Sequence, residues 1–318
     1  MGAALCLVSA ACFGAMAIFG KLAYDAGVTP EALLLVRFTL SAVLLGMVLV
    51  FRRGERQPVR GRVLVTALGL GAIGYAAQAS LYFSALRTMD ASLLSLILYT
   101  FPMMVTVAAA LLGRDRLTPA RVVALTAASA GTLLVLLGAG TGAVQPVGVL
   151  LGLGAAVTYT VYILVADTVV RRLTPVLLAT LVMAGAAATL GARALLLGGV
   201  SFDFPPSAWL WLTCIAVIST VTAMLTFFAG LRRAGPTTAA ILSTFEPVVT
   251  TALAALTLGE SLTPVQLLGG VLVLSCVVVL QIKPRTTLPR YAGRPPSLAE
   301  PPAAIAARDA TPAPQTHP

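Results

Sequence analysis

The chain contains one unit twice, with a constant offset of 145 positions between the matching segments. Val28-Thr29-Pro30 recurs as Leu173-Thr174-Pro175, Phe101-Pro102 as Glu246-Pro247, and Leu117-Thr118-Pro119 as Leu262-Thr263-Pro264. Because all three pairs share one offset, we interpret the chain as a tandem duplication. A fold built on this sequence has to place two related halves against each other.

The composition predicts an integral membrane protein. Of the 318 residues, 58% are hydrophobic and only 10% are charged, whereas soluble domains average about 25% charged residues. The net charge of +10 does not indicate nucleic-acid binding, because the arginines lie in short loops between apolar runs and form no continuous basic face. We therefore expect lipid, and no nucleic acid, as the macromolecular surroundings.

Ten apolar runs are long enough to cross a bilayer core, which requires about 20 residues per helix. The predicted helices span 4–23, 31–51, 63–86, 90–112, 119–138, 147–167, 175–197, 207–231, 236–258 and 264–282. The first five form one repeat, 1–138, and the other five form a second, 147–282. Residues 283–318 are rich in Pro, Ala and Arg, and predict a disordered cytoplasmic tail.

Loop charges predict the orientation of these helices. If the N-terminus is cytoplasmic, 17 of the 21 Lys and Arg residues fall in the inner loops and the tail. The positive-inside rule then places both termini in the cytoplasm, in the inner membrane. Five is an odd number, so the second repeat enters inverted: Arg114-Asp115-Arg116 lies inside, and its counterpart Gly259-Glu260-Ser261 lies outside. The predicted fold is all-α, with ten transmembrane helices in an inverted 5+5 repeat.

Four threonines mark predicted helix starts, because each precedes a proline: Thr29, Thr118, Thr174 and Thr263. Threonine is a favourable N-cap residue, and proline suits the first helical position. Gln266 follows Thr263 by three residues, which is the spacing of a capping box. We assign these residues an architectural role only.

Glu246 is the strongest functional candidate. It lies about ten residues into the ninth predicted helix, which is about 15 Å deep at the rise of an α-helix. An ionised carboxylate at that depth is costly, so such residues line cavities, form pairs or bind protons. Glu246 thus either couples protonation to transport or binds a cationic substrate group, or it is a buried hydrogen-bonding partner that holds its helix in place.

Two prolines predict kinks near the middle of the membrane. Pro247 removes an amide donor and frees the carbonyl of Ser243, and Pro102 does the same for Leu98 in the first repeat. One kinked helix from each repeat then reaches the centre of the bundle. Inverted-repeat transporters place their binding sites in such positions.

Arg37 is the second charged candidate, about 10 Å from the outer edge of the second predicted helix. Its counterpart in the other repeat is Val182, so the repeat itself does not require a charge there. Three interpretations stay open: Arg37 binds a substrate carboxylate or phosphate, pairs with Glu246, or extends to the outer headgroups.

Several polar and aromatic residues either line a cavity or form hydrogen bonds between helices. They are Gln78, Tyr82 and Tyr99, and with the same ambiguity Tyr75, Tyr159 and Tyr162. We expect no cofactor, no metal site and no enzymatic activity. The only histidine, His317, is in the tail, and neither a nucleotide-binding loop nor a pair of membrane carboxylates is present in the sequence.

The sequence resembles the EamA-type transporters of the drug/metabolite transporter superfamily. The matching segments are Phe13-Gly14, Val36-Arg37-Phe38, the run from Ala85 to Pro102, and the run from Phe245-Glu246-Pro247 to Gln266. The resemblance implies a ten-helix inverted repeat with a central cavity, and a secondary transporter that is proton-coupled or an exchanger. Phe13 replaces a frequent Trp, and arginines flank Asp115 where a Gly-Glu pair is usual.

We therefore expect a transporter that exports a small metabolite, amino-acid-like or drug-like. Arg37 and Glu246 in an apolar surround suit an amphoteric solute, with protons as a second transported species. The alternative is an antiporter of phosphorylated or nucleotide-linked solutes, which would require more cations than Arg37 alone. The sequence leaves the oligomeric state open.

Overall fold

The computed structural model describes residues 1–52, 59, 61–113, 119–138, 145–170, 172–234, 242–243 and 245–281. Within these ranges the chain is helical and contains no strand. The loop at 114–118, including Thr118, and the predicted tail at 283–318 lie outside the described residues.

The helices follow the predicted order. They are α1 (Gly2–Asp25), α2 (Pro30–Phe51), α3 (Gly61–Leu86), α4 (Ala91–Leu111), α5 (Pro119–Gly138), α6 (Pro146–Val170), α7 (Pro175–Leu196), α8 (Pro206–Ala216, Val217–Thr222 and Ala223–Ala234), α9 (Glu246–Thr257) and α10 (Pro264–Gln281). Among the described residues, seven helices are long and apolar enough to cross a membrane, namely α1 to α4 and α6 to α8. Crossing by α5, α9 and α10 remains a prediction.

The helices pack in pairs that the duplication relates to one another. Helix α1 packs against α8, and the equivalent pair in the other half is α6 against α3. Likewise, α1 packs against α9 and α6 against α4. Two further large contacts, α2 with α7 and α5 with α10, join equivalent helices, and the contact of α3 with α7 has its counterpart in that of α8 with α2. Every major contact thus has a counterpart when the two copies are exchanged.

Two helices contain wide π-helical turns where the sequence predicts continuous α-helix. Leu70–Tyr75 is π-helical within α3, and Val217–Thr222 is π-helical within α8. The two segments occupy nearly equivalent positions in the two copies. Such turns are rare in proteins and are frequently found at functional sites.

The two predicted kinks are interruptions and not bends in continuous helices. In α4, the first α-helical segment is Ala91–Leu98 and the second is Phe101–Leu111, with Pro102 in its first turn. Helix α9 begins at Glu246 after a turn at Phe245, and Pro247 is its second residue. Proline lacks an amide hydrogen and is favoured in a first turn, so each new helix starts there. Within the described residues Glu246 is thus the first residue of a helical segment, and its predicted depth of about ten residues depends on 236–241, which lie outside them.

The predicted helix caps that fall within the described residues are confirmed. Thr29 Oγ1 accepts a hydrogen bond from the Ala32 amide at 3.3 Å, and Thr174 Oγ1 accepts one from the Leu177 amide at 3.4 Å. At α10, the Thr263 amide donates to Gln266 Oε1 at 2.8 Å, and the Gln266 amide donates to Thr263 Oγ1 at 3.2 Å. This reciprocal pair is a capping box.

Helices α3 and α7 approach each other closely because glycines lie at their crossing. A Cβ atom on Gly71 would overlap the Val182 carbonyl of α7, and one on Gly185 would overlap the Leu68 carbonyl of α3. The contact is therefore between backbones. It fixes the π-helical turn of α3 against the second repeat.

We predict that Gly71→Ala destabilises the protein by about 1–3 kcal/mol, the usual cost of overpacking. The measurement is the thermal unfolding midpoint of detergent-solubilised protein. Gly46→Ala in α2 is the matched control, because a Cβ there meets no other atom within 4 Å. Equal midpoints for the two variants would contradict the backbone contact.

Candidate functional site

The carboxyl group of Glu246 lies where α9 begins and contacts the interruption of α4. Tyr99 Oη lies 2.5 Å from the Ser243 carbonyl oxygen and 3.1 Å from Glu246 Oε2. Pro247 has no amide hydrogen for the carbonyl four residues before it. The Tyr99 hydroxyl occupies the place of that missing donor, so it joins a residue of the first repeat to the start of α9.

Helix α1 also contacts the start of α9, on the side opposite to α4. A Cβ atom on Gly14 would lie 2.8 Å from the Glu246 carbonyl oxygen. Thr250 Oγ1 lies 3.0 Å from the Gly14 carbonyl oxygen and 3.1 Å from that of Glu246. Only glycine permits this approach, which explains the glycine of the Phe13-Gly14 pair. The start of α9 is thus held between α1 and α4.

Arg37 points into the protein and is only 2% exposed. Its Nε donates to Thr220 Oγ1 at 3.0 Å, and its Nη2 donates to Tyr75 Oη at 3.1 Å. The interpretation that this side chain extends to the outer headgroups is therefore wrong. The suggested pair with Glu246 is also absent, since the Arg37 partners in the described part of the chain are neutral hydroxyls.

The two π-helical turns supply both hydrogen-bond partners of Arg37. Tyr75 is the last residue of the turn in α3, and Thr220 lies within the turn in α8. The guanidinium carbon of Arg37 also lies 5.0 Å from the ring centroid of Phe38 and 5.5 Å from that of Phe83. These are distances at which a cation is attracted to a ring face. Arg37 thus links one turn from each repeat.

A row of aromatic rings runs from Arg37 to Glu246, and we call it the aromatic row. Successive ring centroids lie 4.6 to 5.9 Å apart in the order Tyr75, Tyr162, Tyr159, Phe101 and Tyr99. The first ring contacts Arg37, and the last contacts Glu246. The first four rings remain partly exposed. A cation and an acid therefore lie at the two ends of one continuous aromatic surface.

The other predicted site residues lie on α3 beside this row. Tyr82 and Gln78 are each 8% exposed and lie one helical turn apart. The Tyr82 hydroxyl is within electrostatic range of both Glu246 and Arg37. Sequence reasoning missed Phe101, which it treated only as part of a proline motif, and Thr220, for which the sequence carries no signal.

Glu260 caps the first segment of α4 across the repeat boundary. Its Oε1 accepts from the Ala91 amide at 2.9 Å, while Oε2 accepts from the Ser92 amide at 3.0 Å and from Ser92 Oγ at 2.8 Å. Partial desolvation, and then this carboxylate, raise the pKa of the neighbouring Asp90, whereas Lys21 lowers it. The sequence had indicated Glu260 only as a loop charge.

The residues that flank α9 thus hold Ala91–Leu98 at both ends. Glu260, which follows α9, binds the amino end of this segment, and Ser243 with Glu246 binds the Tyr99 hydroxyl at its carboxyl end. The segment is thus hydrogen-bonded at one end to the start of α9 and at the other end to the residue that follows it.

Two cavities open near the start of α2, away from this cluster. One of about 370 Å³ includes Glu31 and Arg193, and one of about 290 Å³ includes Lys21 and Arg87. Neither cavity borders Arg37 or Glu246.

Known proteins resemble the chain along most of its length. The model of the EamA-like transporter family matches residues 1–137 and 146–281. An uncharacterized transporter of Bacillus subtilis, YcbK, is 27% identical over 280 residues, which are 84% of this chain and 88% of that protein. An uncharacterized transporter of Archaeoglobus fulgidus is 25% identical over 219 residues, covering 69% and 77%. One solved crystal structure shares the fold, with a TM-score of 0.61 at 23% identity over 87% of this chain and 95% of that one.

We predict that Glu260→Ala loosens the amino end of α4, because two helix amides and one hydroxyl lose their acceptor. Leaving such groups unpaired costs about 1–3 kcal/mol. The measurement is hydrogen exchange of the peptide that contains Ala91 and Ser92. Ser92→Ala, which removes only one of the three bonds, is expected to have the smaller effect, and unchanged exchange in Glu260→Ala would contradict the capping role.

Proposed function

Because the chain belongs to the EamA-like transporter family, we propose that it is a secondary transporter that exports a small amphoteric metabolite, coupled to protons or to exchange. The observation that carries the proposal is the aromatic row, with Arg37 at one end and Glu246 at the other. Alternating access to this row would move the solute across the membrane.

The proposal includes the ten-span inverted repeat in the inner membrane, with both termini cytoplasmic. The exchangeable helix contacts and the equivalent π-helical turns support two related halves. The concentration of Lys and Arg in alternate loops supports the orientation. Because each repeat has an odd number of spans, the second repeat is inverted relative to the first. This accounts both for the two related halves and for the charges in alternate loops.

The arrangement suits a solute with a carboxylate, an apolar body and an amine. A guanidinium has five N–H donors, and the Thr220 and Tyr75 hydroxyls accept two of those of Arg37. The remaining donors can bind a carboxylate. The partly exposed rings offer apolar faces, and the Glu246 carboxylate offers a partner for an ammonium group.

Proton coupling is assigned to Glu246 because an ionised carboxylate in a membrane interior is costly without a cation. A proton or the amine of the solute removes that cost, so each excludes the other. Competition between the two at one carboxylate is sufficient for proton-coupled exchange. No ATP-binding motif in the sequence offers another source of energy.

An antiporter of phosphorylated or nucleotide-linked solutes is the weaker proposal. A phosphate group calls for several cations, and Arg37 is the basic side chain that contacts the aromatic row among the described residues. Exchange of uridine monophosphate or glucose 6-phosphate, with no exchange of amino acids, would favour it.

We predict that Glu246→Gln abolishes proton movement while the protein stays folded, because the amide cannot take up or release a proton. The assay uses proteoliposomes that contain a pH-sensitive dye and receive a pool of the common amino acids from outside. Asp203→Asn is the matched control, since Asp203 is exposed in the loop before α8. Proton movement with unchanged pH dependence in Glu246→Gln would refute the coupling role.

We predict that Arg37→Lys lowers amino-acid exchange about 10- to 100-fold. Lysine keeps the charge but cannot reach Thr220, Tyr75 and a carboxylate together, and each charged hydrogen bond contributes about 1.5–3 kcal/mol. The measurement is counterflow of the radiolabelled amino-acid pool. Arg62→Lys, at an exposed position in α3, is the control, and equal rates for both variants would contradict substrate binding at Arg37.

A further inference from the structure

The predicted orientation leaves four basic residues outside the inner loops and the tail, namely Lys21, Arg37, Arg87 and Arg193. Arg37 lies at the end of the aromatic row. The other three line the two cavities near the start of α2, Arg193 in the larger one and Lys21 and Arg87 in the smaller one. Cations are disfavoured in outer loops, so their presence at these cavities calls for an explanation other than topology.

The larger cavity, which we call the outer cavity, lies between α2, α3 and α7. Helices α3 and α7 touch at Gly71 and Gly185, and toward their outer ends they make few contacts and leave a space of about 370 Å³. Hydroxyl groups and two opposite charges line much of this space. The polar residues of its lining are Thr29, Glu31, Ser80, Ser84, Arg193 and Ser201.

The acid and the base of the outer cavity do not pair with each other. Glu31 lies in the first turn of α2, and Arg193 lies in the last turn of α7. Each charge is favourable there because it complements the dipole of its own helix. Neither side chain forms an ion pair with any described residue, and both are exposed. Both charged groups are therefore open to a ligand that carries the two complementary charges.

The outer cavity adjoins the surroundings of Arg37. Leu34 lines the cavity, is only 2% exposed, and precedes Arg37 on α2 by about one helical turn. On α3, Ser84 lines the cavity, and the ring of the preceding residue, Phe83, lies 5.5 Å from the Arg37 guanidinium carbon. The cavity and the Arg37 site thus share α2 and α3, and Leu34 is the cavity residue of α2 that is nearest to Arg37 in the chain.

We propose that the outer cavity is a second binding site for an amphoteric solute, whose anionic group binds Arg193 and whose ammonium group binds Glu31. One cation and one acid suit a zwitterion, whereas a phosphate group calls for several cations. The inference rests on the proposed export of such a solute. It adds the position that the solute occupies after it leaves Arg37, past Leu34, and before it is released outside.

The smaller cavity supports this assignment. It shares Thr29 with the outer cavity, and its charged lining residues are Lys21, Asp25 and Arg87. Cations exceed acids there, and a cleft with an excess of one charge attracts the opposite charge. The carboxylate of an amphoteric solute is therefore attracted to the same end of α2 at which the outer cavity lies.

The test is the protection of a cysteine placed in the outer cavity. Ser84→Cys replaces one oxygen atom of the lining by sulfur, and the full-length protein is reconstituted in nanodiscs of phosphatidylcholine. Its reaction with N-ethylmaleimide at position 84 is followed by peptide-resolved mass spectrometry, with and without a pool of the common amino acids. We expect about tenfold slower modification when the pool is at about ten times its dissociation constant.

The charged residues are tested in the Ser84→Cys background. Arg193→Gln and Glu31→Gln each remove one of the two charges, and each is expected to raise the half-protecting concentration about tenfold or more. Arg62→Gln is the matched control, because Arg62 is an exposed arginine at the other end of α3. Protection that is unchanged in Arg193→Gln and Glu31→Gln overturns the inference.

A variant of the aromatic row separates this inference from the proposed function. Because the outer cavity has its own charges, protection at position 84 is expected to persist in Glu246→Gln, and its loss there overturns the inference. Counterflow by Ser84→Cys without protection also overturns it and leaves the proposed transport intact. Protection without counterflow in the wild type supports binding in the outer cavity and overturns the proposed transport, and absence of both overturns both.

A lipid headgroup is the other source of the same pair of charges. Phosphatidylethanolamine has a phosphate and an ammonium group, whereas the quaternary amine of phosphatidylcholine has no N–H donor for Glu31. The protection assay is therefore repeated in nanodiscs that contain phosphatidylethanolamine. Slower modification with this lipid, together with no effect of the amino-acid pool in either lipid, assigns the cavity to a headgroup and overturns the inference.

A second measurement does not depend on the folding of Ser84→Cys. Arg193→Gln is expected to raise the half-saturating concentration of the amino-acid pool about tenfold in right-side-out membrane vesicles, where the outer cavity meets the added pool. In inverted vesicles the same variant is expected to match the wild type. Equal values for Arg193→Gln and the wild type in right-side-out vesicles overturn the inference.

Discussion

A broken helix inside a membrane has backbone groups that lipid cannot satisfy, and this constraint organises the centre of the molecule. Pro247 deprives the Ser243 carbonyl of its helical donor, and Tyr99 from the other repeat supplies a hydroxyl in its place. The same hydroxyl contacts Glu246. The Tyr99 hydroxyl therefore connects α4 to α9 and forms part of the surroundings of the Glu246 carboxyl group.

The proposed chemistry lies where the two copies differ. Arg37 corresponds to Val182, which has no charge, and Glu246 corresponds to Phe101, which is part of the aromatic row. The shared elements, such as the π-helical turns and the proline-initiated helices, build a symmetric support. Arg37 then joins both turns, and Glu246 closes the other end of the row. The repeated elements thus form the scaffold, and the charged groups stand at positions where the two copies differ.

Local signals in the sequence predicted the helices, the threonine caps and the capping box at Thr263, because each depends on residues a few positions apart. The sequence also indicated that Pro247 frees the Ser243 carbonyl. It did not reveal the partner, since Tyr99 is 144 residues away in the chain. The contacts of Arg37 with Thr220 and of Glu260 with Ser92 join residues that are 183 and 168 positions apart in the chain. Helical periodicity indicates which face of a helix is apolar without identifying what packs on it. The ten-span count and the roles of the site residues stay predictions.

The central claim is that one amphoteric solute lies along the aromatic row, with its carboxylate on Arg37 and its amine on Glu246. A structure of the full-length protein in nanodiscs, determined with the amino acid that it exchanges in the counterflow assay, measures this most directly. The account predicts solute density along the row, with one end within hydrogen-bonding distance of the Arg37 guanidinium and the other end within hydrogen-bonding distance of the Glu246 carboxylate. Solute density that contacts neither side chain would contradict it.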